Sequence, residues 1–232
     1  RGRVGRRDRC SGMNEHGLLP FTALDAEHQA AVRHVYESSF PLALRAPWEE
    51  IIAGRPDEEL LVLLDDGSRE TPPVGLVLVR HLGTTSMSFL RYFVVDAQRR
   101  GRGHGSRLWS TLVDHLRDQE CSMLLLDVED PDDRPHDSPE RRDDLRRIDF
   151  YERHGVHMLA VREYAPPDHG QDGEEPSLLL MGCALAGSGG VPRGPAPEGQ
   201  ALREAVIAVY RDRYGLEPDD PVVRTTLQAS RL

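Results

Sequence analysis

The chain has 232 residues (26.0 kDa), 38% of them hydrophobic, with 17 Pro and 21 Gly, enough for one core of ordinary size. Its 29 basic and 39 acidic side chains leave a net charge of −10, which disfavours bulk binding to a phosphate backbone. Three scattered cysteines, Cys10, Cys121 and Cys183, exclude a disulfide scaffold and lack zinc-ligand spacing, and no run approaches the roughly 20 apolar residues of a membrane span.

Residues 1–12 carry five arginines with no apolar stretch behind them, which is not a secretory pattern. Met13 is the expected start, residues 1–12 a leader outside the fold, and the cytoplasm the expected compartment. Residues 17–24 predict a first strand and 26–38 a modest amphipathic helix. A short helix is expected over 47–53, led by Trp48. The apolar run 60–64 ends at Asp65-Asp66-Gly67, a turn signal, and 74–80 reads as its hairpin partner. Residues 88–95 mix aromatic and β-branched side chains and stop at Asp96. From 103 to 119 the period becomes helical, with Leu108, Leu112, Val113 and Leu116 on one side. Residues 121–128 are almost all apolar, as in a strand covered on both faces.

A polar loop over 129–139 leads to a helix over 141–154, with Leu145, Ile148, Phe150 and Tyr151 as its apolar residues and Gly155 as its stop. Residues 156–164 and 177–184 read as two last strands. Residues 186–200 hold five Gly and three Pro and serve as a linker to a C-terminal helical appendage over 201–232. Its stripe of Leu202, Val206, Val209 and Tyr210 needs cover, either from the main domain over 13–185 or from a second copy in a homodimer. The order of elements predicts an α/β domain with a mixed sheet.

The sharpest motif lies between a strand and a helix: Val94-Val95-Asp96-Ala97-Gln98-Arg99-Arg100-Gly101-Arg102-Gly103-His104-Gly105-Ser106. Alternate glycines let the backbone turn tightly and expose N–H groups. Those donors, at the positive end of the next helix, suit a phosphate, and Arg100 and Arg102 add charge. A Walker loop is excluded because the Gly-Lys-Ser/Thr ending is absent, and the glycine spacing does not match a dinucleotide fingerprint.

This segment resembles the GCN5-related N-acetyltransferase (GNAT) superfamily, whose Arg/Gln-x-x-Gly-x-Gly/Ala signature is matched by Arg100, Gly103 and Gly105. The resemblance implies the acyl-CoA N-acyltransferase fold, α/β with a mixed, mainly antiparallel central sheet, splayed central strands and flanking helices. It also implies that the amides of Gly101, Arg102, Gly103, His104, Gly105 and Ser106 hold the pyrophosphate of acetyl-coenzyme A. Phe93, Val94 and Val95 would then bind the pantetheine and orient the acyl carbonyl. A second element, Phe150-Tyr151-Glu152-Arg153-His154-Gly155-Val156, resembles the family's Phe-Tyr-x-x-x-Gly-Phe. It implies that Tyr151 protonates the departing thiolate.

Direct transfer needs a base, an oxyanion stabiliser and an acid, but no covalent enzyme intermediate and no metal. Cys121 and Cys183 therefore read as packing residues. Asp127 and Glu129 share one face of the strand end, with Val128 on the other. Glu129 is the expected base and Asp127 an expected substrate contact. Arg91, a further expected substrate contact, stands where many relatives carry an acid, so a base on that strand is not expected. Phe40, Pro41, Leu42, Arg45 and Trp48 correspond to the region that shapes the acceptor pocket in relatives. The acidic loop with Asp130, Asp132, Asp133 and Asp137 suits a small cationic amine, whereas Arg45 suits a carboxylate. Two alternatives stand beside the small amine: a protein or peptide acceptor, and an aminoacyl-tRNA donor. The arginines at 99, 100, 102 and 107 favour the latter locally and the acidic balance opposes it.

Overall fold

The structure, a computed structural model, describes residues 17–40, 45–65, 71–83, 85–167, 177–185 and 194–232. The expected leader 1–12 and Met13, Pro41 and Leu42, the turn residues Asp66 and Gly67, and most of the linker, 186–193, lie outside them. Among the described residues, seven strands form one sheet: β1 (Leu18–Pro20), β2 (Glu58–Leu64), β3 (Pro73–His81), β4 (Met87–Val95), β5 (Met123–Glu129), β6 (His157–Met158) and β7 (Leu178–Ala184). Their order is β1-β2-β3-β4-β5-β7-β6. The helices are α1 (Ala26–Ser39), α2 (Trp48–Ala53), α3 (His104–Asp118), α4 (Pro139–Arg153), α5 (Gly199–Ala208) and α6 (Pro221–Ala229).

The sheet is mixed. β1 on β2, β5 on β7 and β6 on β7 pair antiparallel, whereas β4 and β5 pair in parallel. The parallel ladder runs only from Met87↔Met123 to Phe89↔Leu125. β5 keeps pairing with β7 to Glu129↔Leu178. That leaves the remainder of β4 outside the parallel ladder, as the family resemblance implies.

The chain forms two compact units. The first comprises Arg1–Gly54, Glu59–Leu78 and Tyr92–His115. Its core joins Val32 and Tyr36 of α1, Trp48 and Ile51 of α2, and Val62 and Val94 of the sheet. Gly75 on β3 is required by close approach, because a Cβ there would lie 2.4 Å from the Val94 carbonyl oxygen and 3.1 Å from Leu108.

The second unit comprises Arg55–Glu58, Val79–Arg91 and Leu116–Leu232. Leu202, Val206, Val209 and Tyr210 are all buried there, against Leu82, Phe89, Leu125 and Leu180. The C-terminal stripe is therefore covered within the chain. After α5 the chain widens into a π-helical turn, Val209–Arg213, and Gly215 (φ +72°) ends it.

Two elements depart from the sequence reading. The strand expected over 156–164 pairs only at His157–Met158, because Leu159 and Tyr164 turn into the core and Glu163 takes a left-handed φ of +52°. Helix α4 starts two residues earlier than expected, at Pro139, capped by Ser138, whose Oγ accepts from the Arg141 N–H at 3.0 Å. Its inward residues are Asp144 and Tyr151, while Leu145 is 41% exposed. No helix among the described residues is long and apolar enough to cross a membrane.

Candidate active site

In the first unit, β4 delivers Phe93, Val94 and Val95 with alternating faces. Val94 enters the core, and Phe93 meets Trp109 edge-on at 6.0 Å between centroids. Asp96 ends the strand. Its N–H donates to the Val74 carbonyl at 2.9 Å, and its Oδ1 accepts from the Gln98 N–H at 3.0 Å, starting the short turn Ala97–Arg99. Gly101 and Gly103 follow at φ +76° and +82°, and a Cβ on either would meet nothing within 4 Å. Backbone conformation, not a crowded neighbour, selects glycine at both. The surface beside them stays open.

Helix α3 begins at His104, so its first N–H groups lack partners within the helix and carry the positive end of its dipole. The loop is held from β2. Asp65 accepts from Arg99 Nη1 at 2.8 Å and lies 4.0 Å from His104 Nε2. Arg107 donates to the carbonyls of Leu64 and Asp65. Arg100 donates from Nε to the Val95 carbonyl at 3.1 Å, and Arg100 and Arg102 are exposed. An open glycine turn, a helix start and two exposed guanidiniums fit a pyrophosphate. Asp65, which the sequence reading placed only in a turn, is the anchor of this loop.

The same unit holds the expected acceptor residues as an aromatic cluster. Trp48 lies 5.5 Å from both Phe21 and Tyr36, and Phe40 lies 5.7 Å from Tyr36 and 5.1 Å from Tyr92. The Tyr36 hydroxyl donates to the Ala46 carbonyl, and the Ala46 N–H donates to the Tyr92 hydroxyl, each at 3.0 Å. Arg45 donates to the Glu37 carbonyl at the end of α1.

In the second unit, Asp127 and Glu129 lie on β5 with buried Val128 between them. Glu129 is ion-paired to Arg147 of α4. Asp127 accepts from two phenols on the same oxygen, Tyr214 at 2.7 Å and Tyr164 at 3.2 Å. Enclosure raises its carboxyl above the usual range. The two hydroxyls and the charge of Arg213 oppose that rise, and Glu129 adds to it. Tyr151 is 6% exposed. Burial raises its phenol, Arg147 opposes, and Glu129 and Asp127 reinforce the shift.

His154 caps α4, and Gly155 (φ +81°) stops it. The Arg91 side chain is 4% exposed and donates from Nη1 to Glu58 at 2.6 Å. Cys121 and Cys183 are both buried free thiols; burial raises both, pushing Cys183 up to about 12. The acidic loop is largely partnered internally. Asp132 pairs with Arg141 at 2.9 Å, Asp133 accepts from the Ser177 N–H at 2.8 Å, and Asp130 caps the turn Pro131–Asp133. Among the described residues, no group of three or more His, Cys, Asp or Glu is placed to hold a metal ion.

Tyr164, Tyr214 and Glu58 were not singled out from sequence. The only local trace of Tyr214 is an aromatic residue before a helix-stopping glycine.

A model described as the acetyltransferase (GNAT) family matches residues 27–156. Glucosamine 6-phosphate N-acetyltransferase 1 from Oryza sativa subsp. japonica is 35% identical over 89 residues, 36% of this chain and 53% of that protein. The match thus spans about half the length of that curated relative. Among solved structures, a protein from Bacteroides thetaiotaomicron described as belonging to the GNAT family of acetyltransferases superposes with a TM-score of 0.61. It is 20% identical, over 86% of this chain and 99% of that one. An aminoglycoside 6'-N-acetyltransferase complexed with coenzyme A gives a TM-score of 0.53 at 17% identity, over 77% of this chain and 99% of that one. At these identities the structural likenesses establish the fold.

Proposed function

The chain belongs to the acetyltransferase (GNAT) family, and we propose that it moves an acetyl or small acyl group from acyl-coenzyme A directly to the primary amine of a small cationic metabolite. The observation that carries this reading is the open left-handed turn at Gly101 and Gly103, leading into α3 and anchored by Asp65. In this reading the turn amides and the α3 N-terminus bind the donor's pyrophosphate, Arg100 and Arg102 add charge, and Phe93–Val95 align the pantetheine. The net charge of −10 favours approach of an ammonium over approach of an anion. The fold is one on which an aminoglycoside 6'-N-acetyltransferase holds coenzyme A.

The reaction balances without a covalent enzyme intermediate. The ammonium first gives one proton to solvent; the freed lone pair then forms a bond to the thioester carbon, the C–S bond breaks, and the thiolate leaves with its electron pair. The proton lost by the amine goes to a carboxylate, and the phenol of Tyr151 protonates the thiolate. Solvent then restores both groups.

Calorimetric titration with acetyl-coenzyme A tests the donor assignment. Wild-type protein should bind, and Gly103→Glu should lose binding by at least about a hundredfold, because it strains a left-handed position and sets a negative charge against the pyrophosphate. A folded wild-type protein that does not bind would sink the reading. A panel of polyamines and aminoglycosides, followed by thiol release, then identifies the acceptor class.

A further inference from the structure

Residues 45–47 lie in neither a helix nor a strand, so their backbone polar groups must find partners elsewhere. Each of the three residues is held by a different anchor. Arg45 donates to the Glu37 carbonyl at the end of α1. The Pro47 carbonyl accepts from the N–H groups of Glu50 at 3.0 Å and Ile51 at 3.2 Å, which starts α2. Ala46, between them, is gripped through both of its polar groups. Its carbonyl accepts from the Tyr36 hydroxyl and its N–H donates to the Tyr92 hydroxyl, each at 3.0 Å. Ala46 is half-buried, within reach of water, yet two fixed side chains take its groups.

The two phenols are themselves braced. Tyr36 is fully buried on α1 and Tyr92 stands on β4, with ring centroids 5.1 Å apart and planes at 85°. Phe40 closes the group, 5.1 Å from Tyr92 and 5.7 Å from Tyr36, and Trp48, the first residue of α2, lies 5.5 Å from Tyr36. A buried phenol needs a partner for its O–H, and the Ala46 carbonyl supplies one to Tyr36.

Tyr92 also has a particular neighbour. Successive residues of a strand point to opposite faces. Tyr92 packs with Val94 against the core of the first unit, while Phe93, between them, meets Trp109 of α3. One strand thus carries a holder of Ala46 on one face and, on the other, a residue proposed to align the pantetheine.

We propose that Tyr92 and Tyr36 are positioning residues for the acceptor: by gripping both polar groups of Ala46 they register Arg45 and Trp48 against the strand that aligns the donor. This rests on the N-acyltransferase reading, in which Phe40, Arg45 and Trp48 shape the acceptor side. Neither phenol moves a proton in this role. What the grip controls is how well the amine is held.

Hydrogen exchange followed by NMR tests the grip in the protein alone. Tyr92→Phe keeps the ring and removes the oxygen that accepts from Ala46, so the Ala46 amide should exchange about tenfold faster. The amides of Val32 and Val35 within α1 should keep their wild-type rates, which separates local release from general loosening. Unchanged exchange at Ala46, or an equal acceleration in α1, overturns the grip.

Thiol release from acetyl-coenzyme A with the best amine of the panel tests the role. Tyr92→Phe and Tyr36→Phe should each raise the acceptor KM about tenfold, while kcat and the dissociation constant for acetyl-coenzyme A stay within about twofold of wild type. The double variant should raise KM by less than the product of the single effects, because both hydroxyls act through one residue. Effects that multiply, or a dissociation constant for acetyl-coenzyme A that rises as far as the acceptor KM, would overturn it. Failure of wild-type protein to bind acetyl-coenzyme A would defeat the N-acyltransferase reading itself, whereas binding and turnover with an unmoved acceptor KM would overturn the positioning role alone.

Discussion

Tyr151 is a weak acid made weaker by its surroundings: its phenol keeps the proton to higher pH and gives it up less readily. A phenol that must give its proton to a thiolate has to hold that proton until the thiolate appears. Burial is the largest influence on it and raises it above its ordinary value of 10.0. The active form is the protonated one, so the raised value extends activity toward alkaline pH, and the basic limb of kcat should lie above the usual tyrosine range. The same shift links to stability with a definite sign. Its contribution is full below about 10 and is lost as pH rises past the folded value. Tyr151→Phe should lower kcat by about a hundredfold or more and leave the dissociation constant for acetyl-coenzyme A unchanged in calorimetry. An equal rise in that constant would mean that the ring packs against the donor and does no proton transfer.

Among the elements, β3 sets the position of the strand that carries Phe93–Val95, the residues proposed to align the donor. Gly75 lets the Val94 carbonyl come within 2.4 Å of where a Cβ would stand. Gly75→Ala must push backbone against backbone. It should destabilise the fold by about 1–3 kcal/mol in urea unfolding and weaken acetyl-coenzyme A binding, because Val94 neighbours both Phe93 and Val95. Wild-type stability in the variant would show that β3 and β4 have room to part. Apart from the strand expected over 156–164, the strands, α3 and the glycine turn were legible in the sequence because each writes its pattern within about fifteen consecutive residues. The cap of α4 at Ser138-Pro139 is equally local, yet it falls inside the loop expected over 129–139. The partners were not legible. Asp65 meets Arg99 from 34 positions away, and Tyr214 meets Asp127 from 87, so neither leaves a periodic trace.

Across the whole molecule, charge is arranged with little slack. In the second unit, Glu58 lies nearly inaccessible between two buried guanidiniums, at 2.5 Å from Arg80 Nη2 and 2.6 Å from Arg91 Nη1. Arg80 also donates to the carbonyls of Asp212 and Arg213, at 3.2 and 3.0 Å, closing the end of the C-terminal turn. Burial lowers the Arg80 guanidinium, and Glu58 is the first influence that opposes it. Glu58→Gln would remove the buried carboxylate that both guanidiniums share. Equilibrium unfolding should show a loss of about 3–5 kcal/mol, the cost of breaking a buried pair from one side. A loss below about 1 kcal/mol would mean that water reaches the cluster.

The burial of Leu202, Val206 and Tyr210 against Leu125 and Leu180 also has a meaning in time. A ribosome makes β5 long before α5, and β7 shortly before it, so the nascent chain carries their apolar face uncovered until residues 202–210 emerge. The second unit therefore cannot close strand by strand as it is synthesised. Its core waits for α5 and α6, and until they are made this apolar surface is open to association with other chains.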